Sequence, residues 1–268
     1  MKSVAEFDEV ALSYDNEFTF SEIGKLQRIE VWDYLKKNIL SQKESLTVLE
    51  LNCGTGEDAI HFASLGHSIT ATDISSEMIE VVKRKSQDKQ LNNNIETKIC
   101  DLSNFDPSLF SKEYDLVFSN FGGLNCINEN KFTELASNLS SILKKDTICI
   151  FVIMPKWCLW EIAYFTLKLQ FKKAFRRFKK NGAMAKLDQN LVHTWYYNKR
   201  KLKKIVKPHF NYIASKPIGI TIPPSYLEDF FRNKKGLLRF LYRLERGLNR
   251  SSFLSNFSDH LLISFRKK

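Results

Sequence analysis

Residues 47–73, TVLELNCGTGEDAIHFASLGHSITATD, decide the fold of this chain. The first five form a short apolar run that stops at Asn52-Cys53-Gly54-Thr55-Gly56, where glycines permit positive φ and a close approach of the backbone to a ligand. Helical spacing follows from Glu57 to Leu65. A second extended run then ends at Asp73, roughly 20 residues after the turn, the separation at which a carboxylate reaches a nucleoside ribose. The stretch therefore predicts a strand, a glycine turn, a helix and a second strand around a nucleotide cofactor.

The glycines alone leave two cofactors open. Read from Gly54, the turn G-T-G-E-D-A satisfies the dinucleotide pattern G-x-G-x-x-G/A, so an NAD enzyme is allowed. Four features resemble class I S-adenosylmethionine-dependent methyltransferases: the acid Glu50 on the first strand, the C-G-T-G turn, the segment YDLVFSN at 114–120, and the loop CDLSN at 100–104. The last two are similar to the family's fourth-strand motif and its adenine-binding loop. Taken in order, they imply S-adenosylmethionine as the cofactor and S-adenosylhomocysteine as its product.

The resemblance implies a protein group for each part of that cofactor. Gly54 and Gly56 would let the backbone approach it, and Glu50 would lie beside the methionine ammonium end. Asp73 would accept both ribose hydroxyls, and Asp101 would accept from the adenine amino group. The other positions implied at the cofactor are Ile74 and Met78 around the adenine, Leu102 with its N–H nearby, Asn120 and Phe121 beside the methyl group, Thr55 and Asp58 after the turn, and Tyr14 and Arg28 from the N-terminal segment.

Several of these side chains also have a purely structural interpretation. Asp73 would cap a helix or turn, and Asp101 would be a loop carboxylate. Asp58, in the first helical turn, would favour the helix dipole without any ligand. Tyr14 and Arg28 would serve only packing and solvation.

The turn departs from the family at its first residue. The family usually has glycine where this chain has Asn52. Asn is the non-glycine residue that best tolerates the left-handed region, so we expect the turn to keep its shape around a side chain.

Strands and helices alternate through the first 154 residues, which indicates right-handed βαβ units. The chain is predicted to be an α/β protein with a Rossmann-like, doubly wound, seven-stranded sheet that binds ligands at the carboxyl edge of its strands. Family topology places the last strand, 260–265, antiparallel beside the sixth, 210–218. The expected parts are an N-terminal helical segment over the cofactor (1–40), a cofactor-binding core (41–154), a basic aromatic cap insertion (155–209), and the last strands with a second helical insertion (210–268).

Charge divides the chain in two. Residues 1–150 contain 15 Lys and Arg against 24 Asp and Glu, whereas residues 151–268 contain 26 against 6. A cofactor domain needs no such cationic excess. The positive charge of the second half therefore indicates binding to the substrate, to a membrane surface or to nucleic acid. Nucleic acid is disfavoured because the fourth strand ends in SNFG rather than [DN]-P-P-[YF] and no Pro-Cys nucleophile is present. Contact with an RNA backbone stays open, since it needs only charge.

The segment from Trp157 to Lys180 is predicted to be one helix with an aromatic stripe opposite a cationic face. That pattern is typical of an interfacial helix at an anionic membrane, where a lipid-like acceptor would be presented. Packing of the stripe on the cap or sheet, with the lysines as a solvated face, is the favoured interpretation. Beyond it, 191–197 is predicted to be an extra strand, and a helix is predicted from Pro223 toward Leu244.

Methyl transfer makes a general base optional, and the candidates are His193, Tyr14, Tyr196, Glu161 and His209. His193 is preferred, although a histidine flanked by aromatic residues in a strand is often a packing residue. The function predicted is methylation of a small, apolar or lipid-like molecule. The alternatives are a non-catalytic membrane-surface protein that keeps the cofactor fold, and an RNA methyltransferase.

Cysteine usage and the N-terminus bear on the compartment. The five cysteines contain no C-x-x-C pair, which predicts reduced thiols and neither a disulfide framework nor a metal site. The first residues contain no apolar leader, and no apolar run is long enough to span a bilayer. A cytoplasmic protein, or one peripheral to the membrane, is expected. The oligomeric state is left open.

Overall fold

A mixed seven-stranded sheet forms the centre of the computed structural model, which describes residues 7–11, 13–110, 113–187 and 190–268. Its strands are β1 (Thr47–Leu51), β2 (Ser68–Asp73), β3 (Ile95–Ile99), β4 (Leu116–Ser119), β5 (Ile148–Ile153), β8 (Phe210–Ile218) and β9 (His260–Lys267). A separate two-stranded sheet is formed by β6 (Ala183–Leu187) and β7 (Asn190–Thr194). The helices are α1 (Glu22–Asn38), α2 (Glu57–Ser64), α3 (Ser76–Asp88), α4 (Glu129–Ile142), α5 (Leu159–Leu167), α6 (Phe171–Ala174), α7 (Lys199–Val206), α8 (Glu228–Phe231) and α9 (Lys235–Leu248).

The strand order of the sheet is β3-β2-β1-β4-β5-β9-β8. The first five strands pair in parallel, and β9 runs antiparallel to both of its neighbours. This confirms the predicted doubly wound fold, including the last strand. Because β9 is reversed, its first residues lie at the edge where the parallel strands end: Leu261 pairs with Ile153, the last residue of β5.

The period of two along β1 separates two hydrophobic layers. Val48 packs with residues of α1, α2 and α3, including Val31 and Phe62, on one face of the sheet. Leu49 packs on the other face with residues of α4 and α7, including Phe132 and Leu202. Glu50 therefore points to the same face as Val48, toward α1.

The predicted single helix from Trp157 to Lys180 is wrong. The chain forms α5, reverses at Leu169 with a φ of 57°, and continues as α6 and a 3-10 turn at Arg176–Phe178. The reversal brings Arg176 and Arg177 back to Glu161 of α5, with N–O distances of 2.7 and 3.0 Å. A straight helix would carry both arginines away from Glu161 and leave that buried carboxylate without partners. The regular spacing of apolar residues does not reveal this ion pair, so it predicts one continuous helix.

Two other predicted elements differ in extent. The extra strand is β7, which ends at Thr194 and pairs with β6, a strand that was not predicted. It ends there because the next residue leaves the ladder: the N–H of Trp195 donates to the carbonyl of Asn125 at 2.7 Å. The helix expected from Pro223 toward Leu244 is divided into a 3-10 turn, α8 and α9, and α9 continues to Leu248.

Candidate active site

A cavity of about 620 Å³ opens at the carboxyl edge of the parallel strands. Its volume lies within the range of pockets that enclose a whole ligand, roughly 300–1,000 Å³. Open α/β sheets bind their ligands at this edge. The cavity reaches from the turn after β1, at Asn52 and Gly54, past the end of β2 at Asp73, to Val192 of β7 and Tyr226 of the second insertion; this far end is called the cap end below.

The glycine turn has the left-handed backbone that its sequence predicts. Asn52 and Gly54 have φ values of 50° and 53°, so the asparagine occupies the position of the family's glycine. Its side chain is held by two hydrogen bonds: Ser119 Oγ donates to Oδ1 at 2.8 Å, and Nδ2 donates to the carbonyl of Asn120 at 3.2 Å. The expectation that the turn survives the asparagine is confirmed.

Gly56 has a different role from the one expected. It does not line the cavity; a Cβ at this position would lie 2.7 Å from a methyl group of Val82 on α3. Glycine here allows α2 and α3 to pack closely, so the expected approach of its backbone to the cofactor is corrected.

Asp73 joins the turn to the cavity. Its Oδ2 accepts from the N–H of Gly54 at 2.8 Å, and its Oδ1 accepts from the N–H of Ser75 at 3.0 Å. Burial raises the pKa of this carboxyl, and the backbone donors at Ser75, Gly54 and Ile74 oppose the rise. Asp73 thus has both the structural role and the cavity-facing position predicted for it.

A smaller cavity of about 30 Å³ lies under the turn, and three of the residues that line it have unpaired polar atoms. Thr19 Oγ1, Arg28 Nε and Glu50 Oε2 are buried and have no hydrogen-bond partner among the described residues. A buried polar group without a partner costs about 1–3 kcal/mol, so such a cluster is typical of a ligand site. Burial and the charge of Asp58 raise the pKa of Glu50 well above its usual range, while Arg28 opposes the rise.

Asp58 holds the side chains around this small cavity. Arg28 Nη1 and Asn120 Nδ2 both donate to its Oδ2 at 2.9 Å, and Trp32 Nε1 donates to its Oδ1 at 2.6 Å. It lines the small cavity but not the large one. Asp58 therefore orients Arg28 and Asn120, and its location agrees with the structural interpretation more than with direct contact in the large cavity.

The N-terminal segment is fastened to the glycine turn by Thr55, whose Oγ1 donates to Asp15 Oδ1 at 2.6 Å. Asp15 begins a π-helical turn, Asp15–Thr19, that places Tyr14 at the large cavity. Burial raises the pKa of Tyr14 to about 12, so it is a neutral phenol. Thr55 itself lines only the small cavity.

The residues implied for the adenine come from three segments. Ile74, Met78 and Leu102 line the cavity together with Asp101. The carboxylate of Asp101 also caps a 3-10 turn, since its Oδ1 accepts from the N–H of Ser103 at 2.8 Å. The structure thus brings together the residues implied for the adenine and gives Asp101 a capping role as well.

His193 is not brought to the site. It is exposed, its Nε2 lies 2.6 Å from the carbonyl oxygen of Asn181, and its ring stacks on Trp195. Val192 and Thr194 line the cavity, so the alternation of β7 turns His193 to the opposite face. Its prediction as the catalytic base is therefore corrected.

The other candidate bases are spread over the molecule. Tyr196 lines the cavity, whereas His209 lies beside Ser140 Oγ at 3.1 Å, outside the lining. Glu161 is buried in ion pairs with Arg176 and Arg177.

Sequence reasoning missed several residues at the cap end of the cavity, namely Arg176, Arg177, Tyr226, Asp259 and His260. Arg177 Nη2 bridges Glu161 and Asp259 at 3.0 and 2.9 Å. A signal for two of them was present: residues 259–260 begin a reversed last strand, whose start must lie at the ligand edge.

Two other features bear on the class of site. Across the described ranges, no three His, Cys, Asp or Glu side chains are grouped so that they could hold a metal ion. No helix in the part of the chain that the structure describes is long and apolar enough to cross a membrane.

Known proteins resemble the chain chiefly in its core. A family model described as a methyltransferase domain matches residues 48–146. The malonyl-[acyl-carrier protein] O-methyltransferase of Buchnera aphidicola subsp. Baizongia pistaciae (strain Bp) is 30% identical over 181 residues, which cover 64% of this chain and 63% of that protein. The tRNA 5-carboxymethoxyuridine methyltransferase of Escherichia coli (strain K12) is 26% identical over 95 residues, 35% of this chain and 36% of that protein. The chain therefore spans less than two thirds of either relative.

The fold is shared over a longer stretch. A solved S-adenosylmethionine-dependent methyltransferase from Clostridium acetobutylicum ATCC 824 superposes with a TM-score of 0.59 and 13% identity, covering 97% of this chain and 98% of that one. The chain therefore contains a methyltransferase domain over residues 48–146, from β1 to just past α4, and shares almost end to end the fold of this solved S-adenosylmethionine-dependent methyltransferase.

Proposed function

We propose that this chain transfers a methyl group from S-adenosylmethionine to a small, apolar or lipid-like acceptor that enters beneath the cap. The observation that carries the proposal is the continuity of one cavity, which runs from Asp73 and Asp101 to Val192 and Tyr226. An NAD reaction, which the glycines alone allowed, is disfavoured because the domain model that matches residues 48–146 is that of a methyltransferase domain.

The polar groups present fit the proposed cofactor. When bound, S-adenosylmethionine supplies an electrophilic methyl group on a sulfonium sulfur. Its amino-acid part carries an ammonium and a carboxylate, and the unpaired Glu50 Oε2 and Arg28 Nε are a matching acceptor and donor. We assign the ribose to Asp73, and the adenine to Ile74, Met78, Asp101 and Leu102.

An apolar acceptor suits the far end of the cavity. Its walls include Ile127, Met154, Val192, Tyr196 and Tyr226. Such walls bind an acceptor by excluding water, and in-line methyl transfer depends largely on alignment and on dryness. The buried Arg177 and the partly exposed Arg176 are already paired with carboxylates, so they do not select for an anionic acceptor.

Calorimetry with S-adenosylhomocysteine tests the cofactor half of the proposal. We expect Asp73→Ala to weaken binding at least tenfold, about 1.4 kcal/mol, because charge-assisted hydrogen bonds are lost. The control is Tyr226→Ala at the cap end, which should leave this affinity within about twofold. Unchanged affinity in Asp73→Ala would contradict the assignment.

Native mass spectrometry of the purified protein, followed by methyl-transfer assays on the copurifying compounds, tests the acceptor half. We expect an apolar compound among them to gain a single methyl group. Tyr226→Ala should lower the rate. Cofactor binding without transfer to any acceptor would favour the non-catalytic alternative.

We also propose that the turn between α5 and α6 touches an anionic lipid surface. Leu167 and Leu169 at this turn are 85% and 77% exposed, and Phe171 is 53% exposed. The neighbouring Lys168 and Lys172 are exposed as well. Apolar side chains that project between lysines fit a bilayer with anionic headgroups. The contact is thus assigned to a turn rather than to the straight helix expected from the sequence.

Vesicle co-sedimentation tests this contact. The triple variant Leu167→Ser, Leu169→Ser, Phe171→Ser should bind phosphatidylglycerol vesicles at least tenfold more weakly than the natural chain. Ile99→Ser removes an exposed apolar residue from the acidic half and should bind normally. Equal binding by the triple variant, or salt-sensitive binding to RNA but not to vesicles, would overturn the lipid assignment.

A further inference from the structure

We propose that His260 accepts the proton released by the acceptor, and that Asp259 is a positioning residue that orients its ring. The inference rests on the proposed methyl transfer and narrows it: the methylated atom carries a removable proton, as in a hydroxyl, a phenol or an ammonium group. His260 replaces His193 as the candidate base.

His260 lies where a base is needed. It is the first residue of β9, at the ligand edge of the sheet, and it lines the cavity. Its ring packs edge-on against Phe121, with centroids 5.3 Å apart. Phe121 follows Asn120 at the end of β4, the segment expected beside the methyl group. Only 12% of the His260 side chain is exposed, so water reaches it poorly.

The two ring nitrogens have different surroundings. Nδ1 is buried 3.3 Å from Asp259 Oδ2, although the two are not aligned as a hydrogen bond in this state. Catalytic hydrogen bonds are often poorly aligned before the substrate binds. A carboxylate beside Nδ1 favours the tautomer with its proton there, which leaves the lone pair of Nε2 free on the other side of the ring.

Asp259 is held in place and kept charged. Arg177 Nη2 donates to its Oδ1 at 2.9 Å, and Gln27 Nε2 donates to its Oδ2 at 3.2 Å. Burial by itself raises the pKa of this carboxyl, but His260 and Arg177 outweigh burial and hold the pKa below its usual range. The carboxylate is therefore available to stabilise a protonated ring.

Other charged or titratable groups lie around the pair. Cys158 Sγ is 3.9 Å from Asp259 Oδ1, and burial raises the pKa of this thiol to about 12, so it stays neutral. Glu161 shares Arg177 with Asp259. Arg28 lies over the ring of Phe121 at 5.1 Å from its centroid. None of these groups takes the place of Asp259 beside Nδ1.

The chemistry balances without an additional reactant. As the acceptor's oxygen or nitrogen forms its bond to the methyl carbon, the carbon–sulfur bond breaks and its electron pair stays on sulfur. The proton of the acceptor passes to Nε2, and the resulting imidazolium is paired with Asp259. A positioned base of this kind contributes about 10²–10⁴-fold to the rate. Tyr196 lines the same cavity, but burial raises its pKa, so it remains a neutral phenol.

Nitrogen NMR of protein labelled with ¹⁵N-histidine and saturated with S-adenosylhomocysteine tests the orientation without an acceptor. The His260 signal, assigned by its loss in His260→Asn, should show a protonated Nδ1 and an unprotonated Nε2. Asp259→Asn should remove this preference. A proton on Nε2 in the natural chain, or the same tautomer in Asp259→Asn, would overturn the proposal. Because Asp259 also pairs with Arg177, the result for the natural chain is decisive if that variant does not fold.

Kinetics then test the chemical role on an acceptor that the natural chain methylates. His260→Asn should lower kcat at least 100-fold and leave KM within about threefold. His193→Asn is the matched control and should keep the natural kcat. A kcat within about twofold of the natural value in His260→Asn would refute the role of base. Failure to bind S-adenosylhomocysteine or to transfer methyl would instead count against the proposed function.

Discussion

Asn52 and Gly123 share one small space beneath the cofactor turn. Asn52 needs room for its side chain, which bonds to Ser119 and to the carbonyl of Asn120. A Cβ on Gly123 would lie 2.1 Å from Cγ of Asn52, far inside contact distance. The side chain at position 52 is therefore tolerated because position 123 has none.

This pairing predicts rescue between the two positions. Gly123→Ala should weaken S-adenosylhomocysteine binding at least tenfold, because the turn must shift. Adding Asn52→Gly removes the clashing atoms and should restore most of the loss. Calorimetry of the single and double variants measures the coupling. Gly236→Ala is the control, since its Cβ would meet nothing within 4 Å, and losses that simply add would contradict the shared space.

Glu50 makes the free protein less stable as pH rises. It is 1% exposed, and burial together with the charge of Asp58 raises its pKa well above the usual range. The folded state therefore holds a proton that the unfolded chain releases. The contribution of this group to stability is complete below the unfolded pKa of about 4.3 and is lost progressively as pH rises toward the folded pKa.

Glu50→Gln should consequently stabilise the protein and impair ligand binding. We expect the free energy of unfolding at pH 8 to exceed that of the natural chain by about 1–3 kcal/mol, because the natural carboxyl must take up a proton or be buried as a charge whereas the amide is neutral, and we expect this difference to narrow toward pH 5. Urea unfolding at several pH values measures it, with the exposed Glu44→Gln as control. The same variant should bind S-adenosylhomocysteine at least tenfold more weakly, and a gap that does not vary with pH would argue against a protonated Glu50.

At the scale of elements, the second insertion forms hydrogen bonds to the start of α1, the helix that contains Arg28. Glu228 of α8 accepts from the N–H groups of Glu22 and Ile23 at 3.1 and 3.0 Å. These are the first two residues of α1, whose N–H groups have no partner within the helix. A carboxylate at this end also suits the helix dipole. The insertion thus stabilises α1 from a position 205 residues away in sequence.

Removing this clamp should affect both stability and the cofactor site. Glu228→Ala is expected to lower the free energy of unfolding by about 1–2 kcal/mol, as for the loss of a helix cap. It should also weaken S-adenosylhomocysteine binding several-fold, because Arg28 lies on the released helix. Asp229→Ala, at the neighbouring and largely exposed position, serves as the control for urea unfolding and calorimetry. Equal effects of the two variants would contradict the cap.

At the scale of the whole molecule, local signals were sufficient for the sheet and the cofactor turn. Apolar runs, glycines and the acid Asp73 lie within 27 residues of one another, and each specifies a neighbouring conformation. The resemblance to the family supplied the antiparallel last strand. The strands and the turn agree with the structure because short-range sequence determines them, whereas the direction of the last strand was taken from the resemblance.

The path of the cap depends on contacts that no local pattern contains. Arg177 and Asp259 are 82 residues apart, yet their ion pair fixes the reversal after α5. The sequence of β7 shows that its side chains alternate between two faces, but it does not show which face lines the cavity. His193 is therefore predicted as the base although it lies on the opposite face. His260 was overlooked because the position of its strand start at the ligand edge matters only once the strands are assembled.

Ile218 and His260 pair at the end of β8 and β9, so the segment between them begins and ends at neighbouring positions of the sheet. Residues 219–259 leave and re-enter the sheet at adjacent, hydrogen-bonded positions, with the N–H of Asp259 donating to the carbonyl of Gly219 at 3.0 Å. The entropy of closing such a loop grows only slowly with its length. Selection can therefore change the length of this segment without disturbing the strand register, provided that the contact of Glu228 with the start of α1 is kept.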